Sequence, residues 1–321
     1  MIGTAKNVST AAYPATNAPS FIAEPATLAD LFRRAVIEFN LPDSLNYKRD
    51  GEWKRISSAQ LVERATNIGL GLYSIGLRKG DRAAILAANS PEWTLADAGC
   101  QMAGIIDVPI YTTSVPEAVK YIIDDSEARV FFVENYSTYG RLLPAISSCG
   151  SIEKVVLFDA DGFGGDERVT TCEDLELSGS ALALGMPRLG DELRAAIMPT
   201  DIATLIYTSG TTGEPKGVML THTNLISNVV DASEKYAFTG RDVSLSVLPL
   251  SHVFERTGMY VYIRYGMQVH YAESIEKVPE NLKEVRPTIF IGVPRIFEKV
   301  FERARIGAAL SGRVNEMIFD W

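Results

Sequence analysis

The residues IATLIYTSGTTGEPKGVML, at positions 202–220, decide the fold that this sequence predicts. The apolar run that ends at Tyr207 indicates a buried strand, and the apolar residues 218–220 indicate a second strand-like segment. The polar residues between them leave the carboxyl end of a strand, which is where open α/β sheets bind their ligands. The stretch therefore predicts a binding loop between two ordered elements.

The loop between these segments is rich in groups that hold phosphate. Its three glycines let backbone N–H groups approach an anion closely, and its four hydroxyls add donors that can rotate. Lys216 adds a positive charge, but it follows Pro215 and precedes Gly217, so the loop lacks the Gly-Lys-Ser/Thr order of a Walker A motif. A flexible polar linker has a similar composition and is the alternative interpretation.

Outside the loop, apolar strand-like runs alternate with helical periodicity. Residues 57–75 have apolar side chains at three- and four-residue steps, with Ser57 and Gln60 placed to form a capping box. Solidly apolar strands separated by helices are typical of parallel sheets covered on both faces. The sequence predicts an α/β fold with parallel or mixed sheets, and an exposed excursion with some structure of its own at 159–190.

The domain organisation follows from the same pattern. Residues 1–20 are small and polar and contain two prolines, which predicts a disordered tail. The remaining chain, 21–321, is interpreted as one partial domain. Its first α/β subdomain covers 21–200, and a second begins within 201–321.

Composition excludes some classes of function. A formal charge of -9 argues against a nucleic-acid partner, because no broad positive field is available to neutralise phosphates. No apolar run is long enough to cross a bilayer, and the first twenty residues lack a signal peptide's apolar core. Three cysteines without metal or redox spacing fit a reducing compartment. We predict a cytoplasmic protein, with peripheral contact to a membrane as the only membrane association.

The segment LIYTSGTTGEPKGVMLTH, at 205–222, resembles the signature loop of the adenylate-forming ligases. GDRAAILAANSPEW at 80–93 and MAGIIDVPIYTTS at 102–114 also match that family. The resemblance implies that the loop holds the phosphates of ATP, and that the Thr208 hydroxyl lies near the magnesium-bound phosphates. The residues implied to bind nucleotide are Thr208, Ser209, Gly210, Thr211, Thr212, Gly213 and Lys216.

A second motif, LPLSHVFERTG at 248–258, resembles the form found in long-chain fatty acyl-CoA synthetases. We predict catalytic roles for His252, at a gate between a nucleotide site and an apolar channel, and for Lys216, at the departing pyrophosphate. The alternative is a histidine that only fixes its loop. We predict that Phe254 belongs to the core and that Glu255 and Arg256 form a structural ion pair.

The implied activity is a fatty acid:CoA ligase that uses ATP, Mg²⁺ and CoA and passes through an acyl-adenylate. The family's adenine and ribose motifs and its catalytic C-terminal lysine are not found before Trp321. We therefore expect an incomplete N-terminal domain without the small C-terminal domain, and no acyl-CoA synthesis by the 321-residue chain alone. An aryl- or amino-acid-activating enzyme and a non-catalytic nucleotide-binding module remain alternatives.

Overall fold

A computed structural model describes residues 24–208 and 214–310. The predicted tail at 1–20, the loop residues 209–213 and residues 311–321, where the sequence predicts a continuing helix, lie outside the described residues. The helices are α1 Leu28–Arg34, α2 Ser58–Ser74, α3 Pro91–Ala103, α4 Pro116–Ser126, α5 Tyr136–Ile146, α6 Cys172–Gly185, α7 Leu189–Ala195, α8 His222–Lys235, α9 Val253–Arg264, α10 Val278–Val285 and α11 Pro294–Leu310. The strands are β1 Leu45–Arg49, β2 Glu52–Ile56, β3 Arg82–Leu86, β4 Ile106–Pro109, β5 Val130–Asn135, β6 Lys154–Asp159, β7 Val169–Thr171, β8 Ile202–Thr208, β9 Lys216–Thr221, β10 Val243–Ser246 and β11 Gln268–Tyr271.

The described strands form two sheets. One has seven strands in the order β7-β6-β5-β3-β4-β8-β9, and the other has four in the order β10-β11-β1-β2. All pairings are parallel except those of β8 with β9 and of β1 with β2. The predicted α/β fold with mixed sheets covered by helices is confirmed.

The larger sheet has helices on both faces because its strands are apolar on both sides. In β3, Ala83 and Ile85 join the core that includes residues of α2 and α3. Ala84 and Leu86 point to the opposite face and join the core under α4 and α5. Because successive side chains of a strand point to opposite faces, β3 contributes residues to two separate hydrophobic cores.

The predicted helix at 57–75 is α2, and its start has the expected capping box. The Gln60 N–H donates to Ser57 Oγ at 3.1 Å, and the Ser57 N–H donates to Gln60 Oε1 at 2.9 Å. Two N-terminal amides are thereby satisfied by local side chains alone, which is why the sequence shows this boundary clearly.

Both sheets combine strands from the two sides of residue 200. Strands β8 and β9 extend the sheet built from β3 to β7, while β1 and β2 pair into the sheet of β10 and β11. The division of the chain into 21–200 and 201–321 stays a prediction.

The predicted exposed excursion at 159–190 is wrong for most of its length. It contains β7 and α6 and the first residues of α7, and α6 packs closely along α2. Glycines permit this approach: a Cβ at Gly179 would lie 1.8 Å from the Asn67 carbonyl oxygen, and one at Gly71 would lie 2.3 Å from that of Leu175. The glycines at 162–165 and the many polar residues of this segment are typical of a loop, so the sequence pattern does not indicate the packed helix α6.

The contact between α2 and α6 gives a test of this packing. We expect Gly179→Ala to lower the free energy of unfolding by about 1–3 kcal/mol, because the added methyl group overlaps backbone atoms that cannot move independently. The control is Gly185→Ala in the same helix, where a Cβ meets no atom within 4 Å. Chemical denaturation monitored by circular dichroism measures both, and equal effects of the two substitutions would contradict the close crossing.

Candidate active site

The ends of β8 and β9 frame the predicted phosphate loop. The two strands pair antiparallel, with Thr208 opposite Lys216 at the open end of the ladder. Ala203 and Thr204 are buried near the start of β8, whereas Thr208 and Lys216 are exposed. Residues 209–215, which include Ser209, Gly210, Thr211, Thr212 and Gly213, connect Thr208 to Lys216 in the chain. The predicted phosphate loop is therefore bounded by two residues that pair within the sheet.

Tyr207 fixes the base of this hairpin to the neighbouring helix α4. Its phenol donates to Asp125 Oδ2 at 2.5 Å, and burial raises the pKa of Tyr207, which keeps it protonated as a donor. Gly217 lies opposite Tyr207, and a Cβ there would lie 3.1 Å from Cζ of the tyrosine ring. A larger residue at position 217 would crowd the tyrosine ring, and glycine leaves space for that ring beside β9. The sequence contains no local signal for Asp125.

His252 is the N-cap residue of α9. Its ring Nδ1 accepts from the Phe254 N–H at 3.1 Å, and its backbone N–H donates to the Pro249 carbonyl at 2.9 Å. The side chain is exposed, and its ring centroid lies 6.4 Å from that of Tyr111. The loop-fixing contact of the alternative interpretation is therefore present, and it uses Nδ1. Phe254 is 51% exposed, so its predicted place in the core is wrong.

Asn89 holds the turn that leads to His252. Its Nδ2 donates to the Leu248 carbonyl at 2.7 Å and to Ser246 Oγ at 3.3 Å, and its Oδ1 accepts from the Leu250 N–H at 2.9 Å. One amide therefore connects the carboxyl end of β3 to three points between β10 and α9. Sequence reasoning treated the segment around Asn89 as packing and missed this role, because the partners lie about 160 residues away in the chain.

The predicted ion pair between Glu255 and Arg256 is wrong, because adjacent residues on a helix point in different directions. Glu255 instead accepts from Ser246 Oγ at 2.6 Å, and burial raises the pKa of this carboxyl to about 7. Arg256 turns the other way and pairs with Asp97 on α3 and Asp107 on β4.

The Arg256 cluster is fully enclosed. Nη2 donates to Asp97 Oδ1 at 2.6 Å and also to Asp107, while Nη1 donates to Asp107 Oδ1 at 2.9 Å and to Thr204 Oγ1 at 2.8 Å. Nε donates to the Tyr260 phenol at 2.7 Å, which in turn donates to Asp97 Oδ2 at 2.9 Å. Burial raises the pKa of Asp107 to about 8, with Arg256 acting in the opposite direction. One cation is thus enclosed with two carboxyl groups, of which Asp107 is driven towards its protonated form.

The structure brings Thr208 and Lys216 together as ladder partners, and it places His252 at a separate helix start. Within 24–208 and 214–310, no hydrogen bond or ion pair joins His252 to Lys216, and no three His, Cys, Asp or Glu side chains form a metal-binding group. None of the described helices has the length and apolar composition needed to cross a membrane. The roles predicted for Thr208, Lys216 and His252 stay predictions.

The sequence profile of the AMP-binding enzyme family matches residues 33–319, which is most of the chain. The chain belongs to the AMP-binding enzyme family. The matched region includes both strands of the hairpin and the whole of α9, so the candidate site lies inside the part that defines the family.

Curated members of this family resemble the chain over most of its length. A peroxisomal long chain acyl-CoA synthetase 6 from Arabidopsis thaliana is 31% identical over 305 residues, which cover 92% of this chain and 43% of that protein. A long-chain-fatty-acid–CoA ligase from Rattus norvegicus is 33% identical over 308 residues, which cover 92% and 42%. The chain therefore spans less than half the length of these relatives.

Solved structures agree with the fold. A long-chain-fatty-acid-CoA ligase from Archaeoglobus fulgidus has a TM-score of 0.73 at 21% identity, over 88% of this chain and 54% of that chain. The inhibitor-bound N-terminal domain of FACL13 from Mycobacterium tuberculosis has a TM-score of 0.69 at 25% identity, over 85% and 64%. The resemblance to adenylate-forming ligases is confirmed at the level of family and fold.

The Asn89 contacts predict a measurable loss of stability. We expect Asn89→Ala to lower the free energy of unfolding by about 1–3 kcal/mol, because the Leu250 N–H and the Leu248 carbonyl lose their partner. Asn228→Ala is the control, since this exposed amide donates to the Asn224 carbonyl within its own helix. Urea denaturation compares the two variants with the wild type. A loss of unfolding free energy in Asn89→Ala no greater than that in Asn228→Ala would contradict the stabilising role of the Asn89 contacts.

The raised pKa of Asp107 predicts a pH dependence of stability. Between its ordinary pKa near 4 and about 8, the native state keeps a proton that the unfolded chain releases, so this group's contribution to stability declines as pH rises. The decline is at most about 1.4 kcal/mol per pH unit for one proton. Asp97→Asn removes the neighbouring negative charge, and we expect it to flatten the decline between pH 5 and 8.

Denaturation curves of the wild type and Asp97→Asn at several pH values measure this effect. Glu52→Gln, at an exposed carboxylate, is the control and is expected to leave the slope unchanged. Parallel pH profiles for the wild type and Asp97→Asn would show that the two buried carboxyl groups do not share their proton equilibrium.

Proposed function

We propose that the protein containing this chain is an AMP-forming long-chain fatty acid:CoA ligase, and that this chain supplies its phosphate loop and part of its acyl pocket. The proposal rests above all on the hairpin of β8 and β9, whose connecting residues carry the phosphate-binding pattern within an AMP-binding enzyme. The relatives described above are named as long-chain acyl-CoA synthetases, which supports a fatty acid over an aryl or amino acid.

In the proposed reaction, a fatty carboxylate oxygen attacks the α-phosphorus of Mg-ATP, and the bond to pyrophosphate breaks. The thiol of CoA then attacks the acyl carbon of the acyl-adenylate, and AMP leaves with the carboxylate oxygen. In-line displacement at phosphorus depends mainly on positioning and on neutralisation of charge. The protein therefore needs placed donors rather than a nucleophile of its own.

Lys216 and the loop have the exposure and chemistry for this task. The Lys216 ammonium lies at the first residue of β9, opposite Thr208, and neither side chain is enclosed by the fold. We assign Lys216 to the departing pyrophosphate and the amides and hydroxyls of 209–213 to the remaining phosphate oxygens. Thr208 would offer its hydroxyl to the magnesium-bound phosphates of ATP.

His252 is assigned to the boundary between the nucleotide and the acyl chain. Its Nδ1 is already used by the Phe254 N–H, so a neutral ring carries its proton on Nε2 and can donate only from there. The partly buried Tyr111 ring lies near it, and Phe254, two residues later, is 51% exposed, so apolar surface is present close to one donor. This combination suits the passage between a phosphate site and a fatty chain. A cytoplasmic location and peripheral membrane contact accompany the proposal as predictions.

Lys216→Ala tests the proposed role of the loop. In the full-length product of the gene, we expect acid-dependent ATP–pyrophosphate exchange to fall on the order of a hundredfold, or about 3 kcal/mol, because a preorganised charge is lost where negative charge develops. Lys235→Ala, at the exposed end of α8, makes the same change in net charge and is expected to exchange normally. Unchanged exchange in Lys216→Ala would remove this residue from the site.

A further inference from the structure

Arg256 touches both segments that carry the proposed site. Its backbone N–H donates to the His252 carbonyl at 3.2 Å, within the first turn of α9. Its guanidinium donates to Thr204 Oγ1 on β8, the strand that reaches the phosphate loop at Thr208 four residues later. One residue thus connects the histidine at the helix start to the strand beneath the loop.

The connection is rigid because the guanidinium donates to acceptors on four elements. Asp97 belongs to α3, Asp107 to β4, Thr204 to β8 and Tyr260 to the next turn of α9. The side chains of Arg256, Asp97 and Asp107 are at most 2% exposed, so water does not replace a lost contact. The planar fork fixes angles as well as distances, which a lysine ammonium does not do.

Stability alone does not explain such a group. Enclosing charged side chains has a large desolvation cost, and well-packed apolar residues of similar volume often serve a core equally well. The same cost makes any displaced arrangement unfavourable, because a shift of α9 relative to β8 leaves a buried charge without its partners. The cluster therefore penalises shifts among the elements that it joins, including the sliding of the His252 helix start relative to the strand that leads to the phosphate loop.

We infer that Arg256 is a positioning residue that sets the distance between His252 and the phosphate loop during adenylation. The inference rests on the proposed function. Arg256 itself is too deeply enclosed to touch a substrate, so it acts through α9 and β8. Small displacements of reacting groups reduce rates strongly even when binding is retained, which gives the inference a kinetic signature.

The test compares Arg256→Lys with Arg264→Lys in the full-length protein. Both substitutions keep the charge and lie on the same helix, and Arg264 also forms an ion pair, with the exposed carboxylate of Glu24. Rates of acid-dependent pyrophosphate exchange are normalised to the folded fraction from circular dichroism. We expect Arg256→Lys to lower kcat on the order of tenfold to a hundredfold at an unchanged KM for ATP. Arg264→Lys is expected to retain the wild-type kcat.

Thr204→Val is the second variant, for the case that Arg256→Lys does not fold. It removes the hydrogen bond from Arg256 and the one that the Thr204 hydroxyl donates to the Asp107 carbonyl, and it leaves the partners of both ion pairs in place. We expect kcat to fall on the order of tenfold with KM for ATP unchanged. Loss of melting temperature with a normal kcat per folded molecule, in whichever variant folds, would overturn the inference and leave a purely structural role. A wild-type protein without acid-dependent exchange would instead overturn the proposed function, and the inference with it.

Discussion

A single guanidinium group, enclosed with two carboxyl groups, constrains the arrangement of the whole candidate site. Arg256 can satisfy its donors only if α3, β4, β8 and α9 keep their relative positions. Apolar packing tolerates small shifts at a modest cost, whereas buried charges without partners do not. The seven-stranded sheet and the helix that begins beside His252 are therefore joined by directional contacts and not by burial alone.

Other polar contacts near the site also fix the positions of its elements. Asn89 fixes the turn before α9, and Tyr207 fixes the base of the hairpin to α4 through Asp125. Tyr207 is buried and Asn89 is partly buried, whereas Thr208, Lys216 and His252 are exposed. The exposed residues are available for a substrate, while the buried polar groups hold their backbone in place. Such a division is expected of a site whose chemistry depends on positioning.

Sequence reasoning succeeded where the signal is local. The β8 strand and the strand after Lys216 have apolar runs, and the start of α2 has a capping box within four residues. The long signature at 205–222 identified the family, which the match over residues 33–319 confirms. These features depend on neighbouring residues, so a single sequence contains them in full.

It failed where partners are distant in the chain. The ion pairs of Arg256 reach 149 and 159 residues away, and nothing near position 256 indicates Asp97 or Asp107. Helix α6 was missed because its contact with α2 depends on glycines that look like loop residues in isolation. Phe254 was assigned to the core on burial tendency alone, although its place in the first turn of α9 leaves it half exposed.

Substrate choice is the most direct test of the account. Acid-dependent ATP–pyrophosphate exchange, measured in the full-length product of the gene with palmitate, benzoate and free amino acids in parallel, reports which carboxylate is adenylated. The account predicts exchange with the long-chain acid well above that with the other two classes. Exchange driven by benzoate or an amino acid in place of palmitate, or no acid-dependent exchange at all, would contradict it.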